Sequence, residues 1–183
     1  MKISPPKFNS DKTCVVAAYL VQLAGGKLDM YTLIKLLYIM DREAYKRWCH
    51  AVTFDSYVSM PFGPVVSKTY DILKGEIEDP LWTEYFHERK NNTIFLKKEK
   101  PDFSLMSRAE EELAQELYET YGKLDFDRLC EITHKFAEYE DPNGSSLPIS
   151  INSILNAVMV DEEQIKSAVE ELHTQVCHER IFL

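Results

Sequence analysis

The sequence predicts an α+β fold that is mainly α-helical: a compact helical domain around a buried central helix, with a small β-hairpin attached. Three observations carry this. From Tyr31 to Met40 only Thr32 and Lys35 are polar, and a helix apolar nearly all round must be enclosed by protein. Helix-start signals recur along the chain, at Asp29, at Ser107 with Glu110 and at Asp161 with Gln164. Between them, two runs favour extended structure, Thr53–Val65 and the residues flanking Lys90-Asn91-Asn92.

Each element follows from local chemistry. A first helix over 11–24 is capped by Ser10 and stopped at Gly25-Gly26. Asp29 caps the central helix, Met30 to Trp48. From Asp41 its pattern turns charged, with Arg42, Glu43, Lys46 and Arg47 outward, so the helix is expected to leave the core there. Pro61 and Pro64 forbid a continuous helix through Thr53–Val65. Pro64 suits the first turn of the next helix, where its missing N–H costs nothing, and that helix carries Val65, Val66, Thr69, Tyr70 and Leu73 to Gly75. Tyr85–Arg89 and Thr93–Lys97 form the hairpin. Ser107 and Glu110 make a capping box for a helix ending at Gly122, a shorter helix spans Phe126 to Phe136, and Asn152–Val158 adds a turn or two. The last helix has the stripe Ile165, Ala168, Val169, Leu172 and Val176. No linker or repeat divides the 183 residues, so one domain is expected over 1–183.

Charge and composition exclude several classes of function. The longest apolar run, Cys14 to Val21, falls far short of the ~20 residues of a membrane helix. Residues 1–100 hold 15 basic and 12 acidic side chains, and residues 101–183 hold 6 and 18. The acidic half would repel phosphates, which argues against nucleic acid as a partner and suits a basic protein partner instead. Cys14, Cys49, Cys130 and Cys177 have no close pair, so they read as reduced, mostly buried thiols of a cytoplasmic protein rather than zinc ligands.

The chain carries no standard catalytic string. There is no phosphate loop, no Gly-x-Ser-x-Gly elbow and no His-Glu-x-x-His pair. Glu131 with His134 and Glu170 with His173 have the spacing of di-iron ligands, but such bundles need long helices through a common core. His134 at the end of its helix reads as a C-terminal cap. An acid–base role for it would need a pocket and a carboxylate such as Asp41 or Asp71. No catalytic residue, metal or cofactor is expected.

An ordered set of motifs then bears on function. Lys35-Leu36-Leu37-Tyr38-Ile39-Met40-Asp41-Arg42 resembles the central helix of the Panacea domain, the SocA-like antitoxin domain. Thr53 to Val65, with Met60-Pro61-Phe62-Gly63-Pro64-Val65, resembles its next signature. Tyr70-Asp71, Leu105–Glu112, Tyr118–Leu124 and Leu129–His134 continue in the family order. The resemblance spans about 11–140, leaving 141–183 as a C-terminal helical extension. Where the family often has Pro and Trp after the Thr-His pair, this chain has Phe136, Ala137 and Tyr139.

The resemblance implies an antitoxin of a bacterial or phage toxin–antitoxin system, neutralising its cognate toxin by direct protein–protein binding. The alternative within binding functions is a proteolytic adaptor delivering the toxin to a AAA+ protease. The rival from another class is a metal- or His-dependent enzyme. Tyr57, Met60, Phe62, Pro64, Asp71 and His134 are the candidate partner-binding residues. Preorganised aromatics make strong interface anchors, although Tyr57, Met60 and Phe62 could equally cover the core helix.

Overall fold

The structure is a computed structural model and describes residues 7–181. Cys177 lies outside the described side chains, and Lys2 and Pro5-Pro6 lie outside the described residues.

The predicted fold class holds: helices build most of the molecule, with two small sheets. Helix α1 (Ser10–Leu23) starts one residue earlier than expected. Its cap is Asn9, which accepts a hydrogen bond from the Lys12 N–H at 3.0 Å. Ser10 instead ties α1 to a distant helix, donating to Asp79 Oδ2 at 2.6 Å and accepting from Trp82 Nε1 at 3.1 Å. After the glycine pair, strand β1 (Lys27–Asp29) leads into α2 (Met30–Trp48), capped by Asp29 as expected. Leu33, Leu36, Leu37, Tyr38 and Met40 are fully enclosed. At about 1.5–3 kcal/mol for each large apolar side chain buried, this helix is the main source of hydrophobic stabilisation.

Beyond Met40 the helix does not leave the core. Asp41, Ala44 and Tyr45 are all buried, so only part of the turn faces outward. A carboxylate can be enclosed there because a later loop supplies its hydrogen bonds, and helix periodicity alone carries no trace of that loop.

The extended stretch forms a tight hairpin. Strand β2 (Tyr57–Met60) pairs antiparallel with β3 (Gly63–Val66), Tyr57 opposite Val66 and Met60 opposite Gly63. Pro64, Val65 and Val66 therefore lie in a strand and not in the following helix. As the edge of its sheet, β3 can carry a proline without breaking a ladder. Helix α3 (Ser67–Lys74) has no capping side chain of its own at Val66. Asp55 from the preceding loop takes that role, accepting from the N–H groups of Lys68 and Thr69 and from the Thr69 hydroxyl. Gly75, at φ 80°, ends the helix.

The hairpin expected over 85–97 is reduced to isolated bridges. Asp79 caps α4 (Pro80–Tyr85), with Pro80 in its first turn, and this helix consumes the start of the supposed first strand. Strand β4 (Thr93–Phe95) pairs with β1, and only single bridges, Phe86 with Leu96 and Lys90 with Thr93, remain of the expected pairing. Helix α5 (Arg108–Tyr121) carries the full capping box of Ser107 and Glu110. Helix α6 (Phe126–Thr133) stops at His134, short of Phe136.

Strand β5 (Leu147–Ile149) was not expected. It pairs with the free side of β2, giving a three-stranded sheet in the order β3-β2-β5. Helix α7 (Ile151–Val158) then lays Ile154 and Leu155 into the core beside α2. In α8 (Glu162–Ile181), Ala168, Leu172 and Val176 are buried, and Ile165 and Val169 are partly so. No helix among the described residues is long and apolar enough to cross a membrane.

Candidate functional site

Polar groups on α2 organise the site. Residues 35, 38 and 42 fall at helical spacing along one stripe, so they present to the same neighbour. Tyr38 donates its hydroxyl to Glu138 Oε1 at 2.9 Å, and Arg42 Nε donates to the same oxygen at 2.8 Å. Arg42 also lies over the Phe136 ring, 4.2 Å from its centroid. Phe136 stacks near Tyr38 in turn. The chain after α6 is thereby fixed to α2 by an ion pair on Glu138 Oε1, while Glu138 Oε2 is buried with no hydrogen-bond partner among the described residues.

One turn earlier on the stripe, Lys35 is 1% exposed. Its ammonium donates to the Phe62 carbonyl at 2.5 Å and to Thr133 Oγ1 at 3.3 Å. Three segments that resemble successive family motifs, separated by up to 98 residues, meet at this one nitrogen. Their approach depends on Gly63, whose φ is 105°. A Cβ there would stand 2.6 Å from Thr133 Oγ1 and 2.7 Å from Lys35 Nζ. Only glycine permits both the backbone conformation and the contact. Burial pulls the Lys35 ammonium down to about 8, slightly offset by the nearby Cys130.

Asp41 anchors the other end of the hairpin. Its carboxylate accepts from the N–H groups of Val52 and Thr53 at 2.8 and 2.9 Å, from the Tyr57 hydroxyl at 2.9 Å, and from the Thr53 hydroxyl. Full burial pushes Asp41 up to about 6 against the opposing pull of these hydrogen bonds. Asp55 is raised for the same reason, with its helix-capping bonds opposing.

Above Lys35 a pocket of 280 Å³ opens between α2, the Met60–Gly63 turn, α3, α6 and the 144–145 turn. An aromatic row borders it. Phe62 meets Phe126 edge-on at 5.5 Å, Phe126 meets Tyr31 at 5.7 Å, and Tyr31 lies 6.4 Å from Tyr70.

The predicted partner-binding residues take different places around this centre. Phe62 stands at the hairpin tip, 63% exposed. Met60 is half-buried, and its carbonyl accepts from the Tyr139 hydroxyl at 3.2 Å. His134 is exposed and stacks flat on Tyr139, 4.6 Å between centroids and 5° between planes. These residues gather around the hairpin tip, where a Cβ on Gly63 would stand 3.3 Å from His134 Cδ2. Tyr57 and Pro64 are buried beneath it, and Asp71 is half-buried on α3 beside the pocket residue Tyr70. His134 does take the C-cap position of α6. The carboxylate of Asp41 is directed to Thr53 and Tyr57, and that of Glu131 bonds Arg128 at 2.7 Å. No group of three or more potential metal ligands occurs among the described residues.

Lys35, Thr133 and Glu138 were missed as site residues by the sequence reading. The signal was a lysine inside the apolar stretch of the helix, with a tyrosine and an arginine following at helical spacing, a pattern that demands buried polar partners from elsewhere. Neither the curated proteins nor the solved structures contain a match to the chain. Residues 33–139, which include Lys35, the Phe62-Gly63 turn, the Thr133-His134 pair and Glu138, match the family described as Antitoxin SocA-like, Panacea domain. The match with this family covers more than half of the chain, from within α2 to the Glu138 ion pair, and the protein belongs to the SocA-like, Panacea-domain antitoxins.

Proposed function

We propose that this protein neutralises a cognate toxin in the cytoplasm by direct protein–protein binding, through the face that carries Phe62, Met60, His134 and Tyr139. The family supports an antitoxin role with a toxin as partner. The observation that supports binding through this face is the placement of Phe62, a large aromatic side chain 63% exposed on a turn clamped from below. A rigid, exposed aromatic beside a second hollow, bordered by Phe126 and Leu124, has the features of an interface anchor. The buried carboxylates of Asp41, Asp55 and Glu138 are engaged in fixing loops and helix ends, which favours binding over a reaction.

The chain acts as one unit in this reading. Residues 141–183 extend the family domain, and β5 and α7 join its sheet and core.

Co-expression tests the proposal. A small gene beside this one should encode a product that arrests growth alone, and this chain should restore growth and co-purify with it in stoichiometric amount. Rescue without a stable complex, lost in a host lacking a AAA+ protease, would instead identify a proteolytic adaptor. Toxicity unaffected by this chain would overturn both.

A further inference from the structure

The ammonium of Lys35 is incompletely used. It has three N–H donors, and its two acceptors, the Phe62 carbonyl and Thr133 Oγ1, are both neutral. Among the described residues no carboxylate lies within ion-pair distance of it. Two other partly buried cations do have carboxylate partners, Arg42 with Glu138 and Lys12 with Glu110. A buried cation without a counter-ion is costly, and beside a pocket it offers a charged donor to an anion.

Lys35 also forms part of the wall of the 280 Å³ pocket, whose other walls are mainly aromatic and aliphatic: Tyr31, Phe62, Tyr70, Phe126 and Val65. Such a cavity favours an apolar body, and the single remaining N–H favours one anionic oxygen. A phosphate dianion would require several convergent donors, which Lys35 alone does not supply. The size suits one residue-sized group rather than a nucleotide, standing at the lower end of ligand pockets.

We infer that the pocket over Lys35 binds a carboxylate carried on an aromatic or branched apolar body, as in a free aromatic acid or the terminal residue of a peptide. The carboxylate takes the third Lys35 N–H, and the body packs between Phe62, Phe126 and Tyr31. The pocket shares Phe62 and Met60 with the proposed toxin-binding face, but the inference does not rest on toxin binding. It is tested on the protein alone, so its failure leaves the proposed function standing.

The probes are N-acetyl-phenylalanine and its amide, titrated into the isotope-labelled full chain and followed by NMR. The acid should shift the resonances of Lys35, Phe62 and Phe126 and bind roughly ten-fold or more tightly than the amide, the worth of one charge-assisted hydrogen bond. Lys35→Met should abolish that preference while the amide still binds. Phe126→Ala should weaken both probes and keep the preference, so the site remains testable if Lys35→Met does not fold. A hexapeptide ending in phenylalanine with a free carboxylate separates the two sources. Binding at least equal to that of the free acid assigns a chain terminus, and binding of the free acid alone assigns a small molecule. Equal affinity for acid and amide, displacement of the acid by inorganic phosphate, shifts confined to other surfaces, or a preference that survives Lys35→Met would each overturn the inference.

Discussion

The two ends of the β2–β3 hairpin are both held by charged side chains of α2, six positions apart, yet they are held in opposite ways. At the base, Asp41 receives four hydrogen bonds, and Tyr57 is sealed against it. At the tip, Lys35 reaches two neutral oxygens, Phe62 stays 63% exposed, and a cavity adjoins the charge. A charge whose partners all come from its own chain is architecture. A charge left short of partners beside a hollow is where a molecule of this kind can meet something else. The hairpin is thus a rigid arm, closed at one end and available at the other.

The contrast breaks most visibly at the base. Asp41→Ala would strand the Val52 and Thr53 N–H groups and the Tyr57 hydroxyl in a dry interior. Each orphaned donor costs about 1–3 kcal/mol, so a loss of at least about 3 kcal/mol is expected, measured by denaturant unfolding. Asp41→Asn should cost clearly less, because its amide oxygen still accepts from both backbone donors. Equal losses for the two variants would mean that the negative charge, rather than the hydrogen-bond geometry, holds the base.

At the tip, Gly63→Ala should cost about 2–4 kcal/mol, from an unfavourable positive φ and a Cβ driven against Thr133 Oγ1 and Lys35 Nζ. The side chain of Lys35 can swing away more easily than Thr133 can move. The variant should therefore lose the Lys35–Phe62 bond, seen as a change in the backbone amide resonances of residues 61–64. A variant as stable as the parent, with those resonances unmoved, would show that the close approach at Gly63 is dispensable.

The two ends were also unequally legible in the sequence. The bounds and cap of α2 could be read directly, since Asp29 and the largely apolar stretch from Tyr31 to Met40 depend on neighbours in the chain. The capping box at Ser107 and the stop at Gly75 were legible for the same reason. Asp41 could not be placed, because its burial is made affordable by Val52, Thr53 and Tyr57, partners set by the path of a loop. Pro64 fitted a helix start and an edge strand equally well, and the pairing of β2 on both sides decided between them. Asp79-Pro80 was a readable helix start that the apparent hairpin obscured. The aromatic turn was recognisable as a candidate interface, but Lys35 beneath it was not. Its distance to Thr133 is a property of the fold, across 98 positions of chain.

The smallest change in stability should carry the clearest functional result. Phe62 buries only about a third of its surface, against Phe126 and the turn, so Phe62→Ala removes little apolar area from the interior. At ~25 cal/mol per Å² the loss should stay below about 1 kcal/mol, and the thermal midpoint should fall by no more than a few degrees. Tyr57→Ala, by contrast, opens a cavity around a ring that is 4% exposed and removes one of the four hydrogen bonds to Asp41, for about 3–5 kcal/mol. If the tip is where the toxin docks, Phe62→Ala should weaken neutralisation at a temperature where both it and the parent are folded. Tyr57→Ala should lose neutralisation only in proportion to the fraction unfolded. Should Phe62→Ala neutralise as well as the parent, the exposed ring is not an anchor, and the docking face lies away from the tip. Should it instead unfold like Tyr57→Ala, the tip is as much part of the core as the base, and the difference between the two ends disappears.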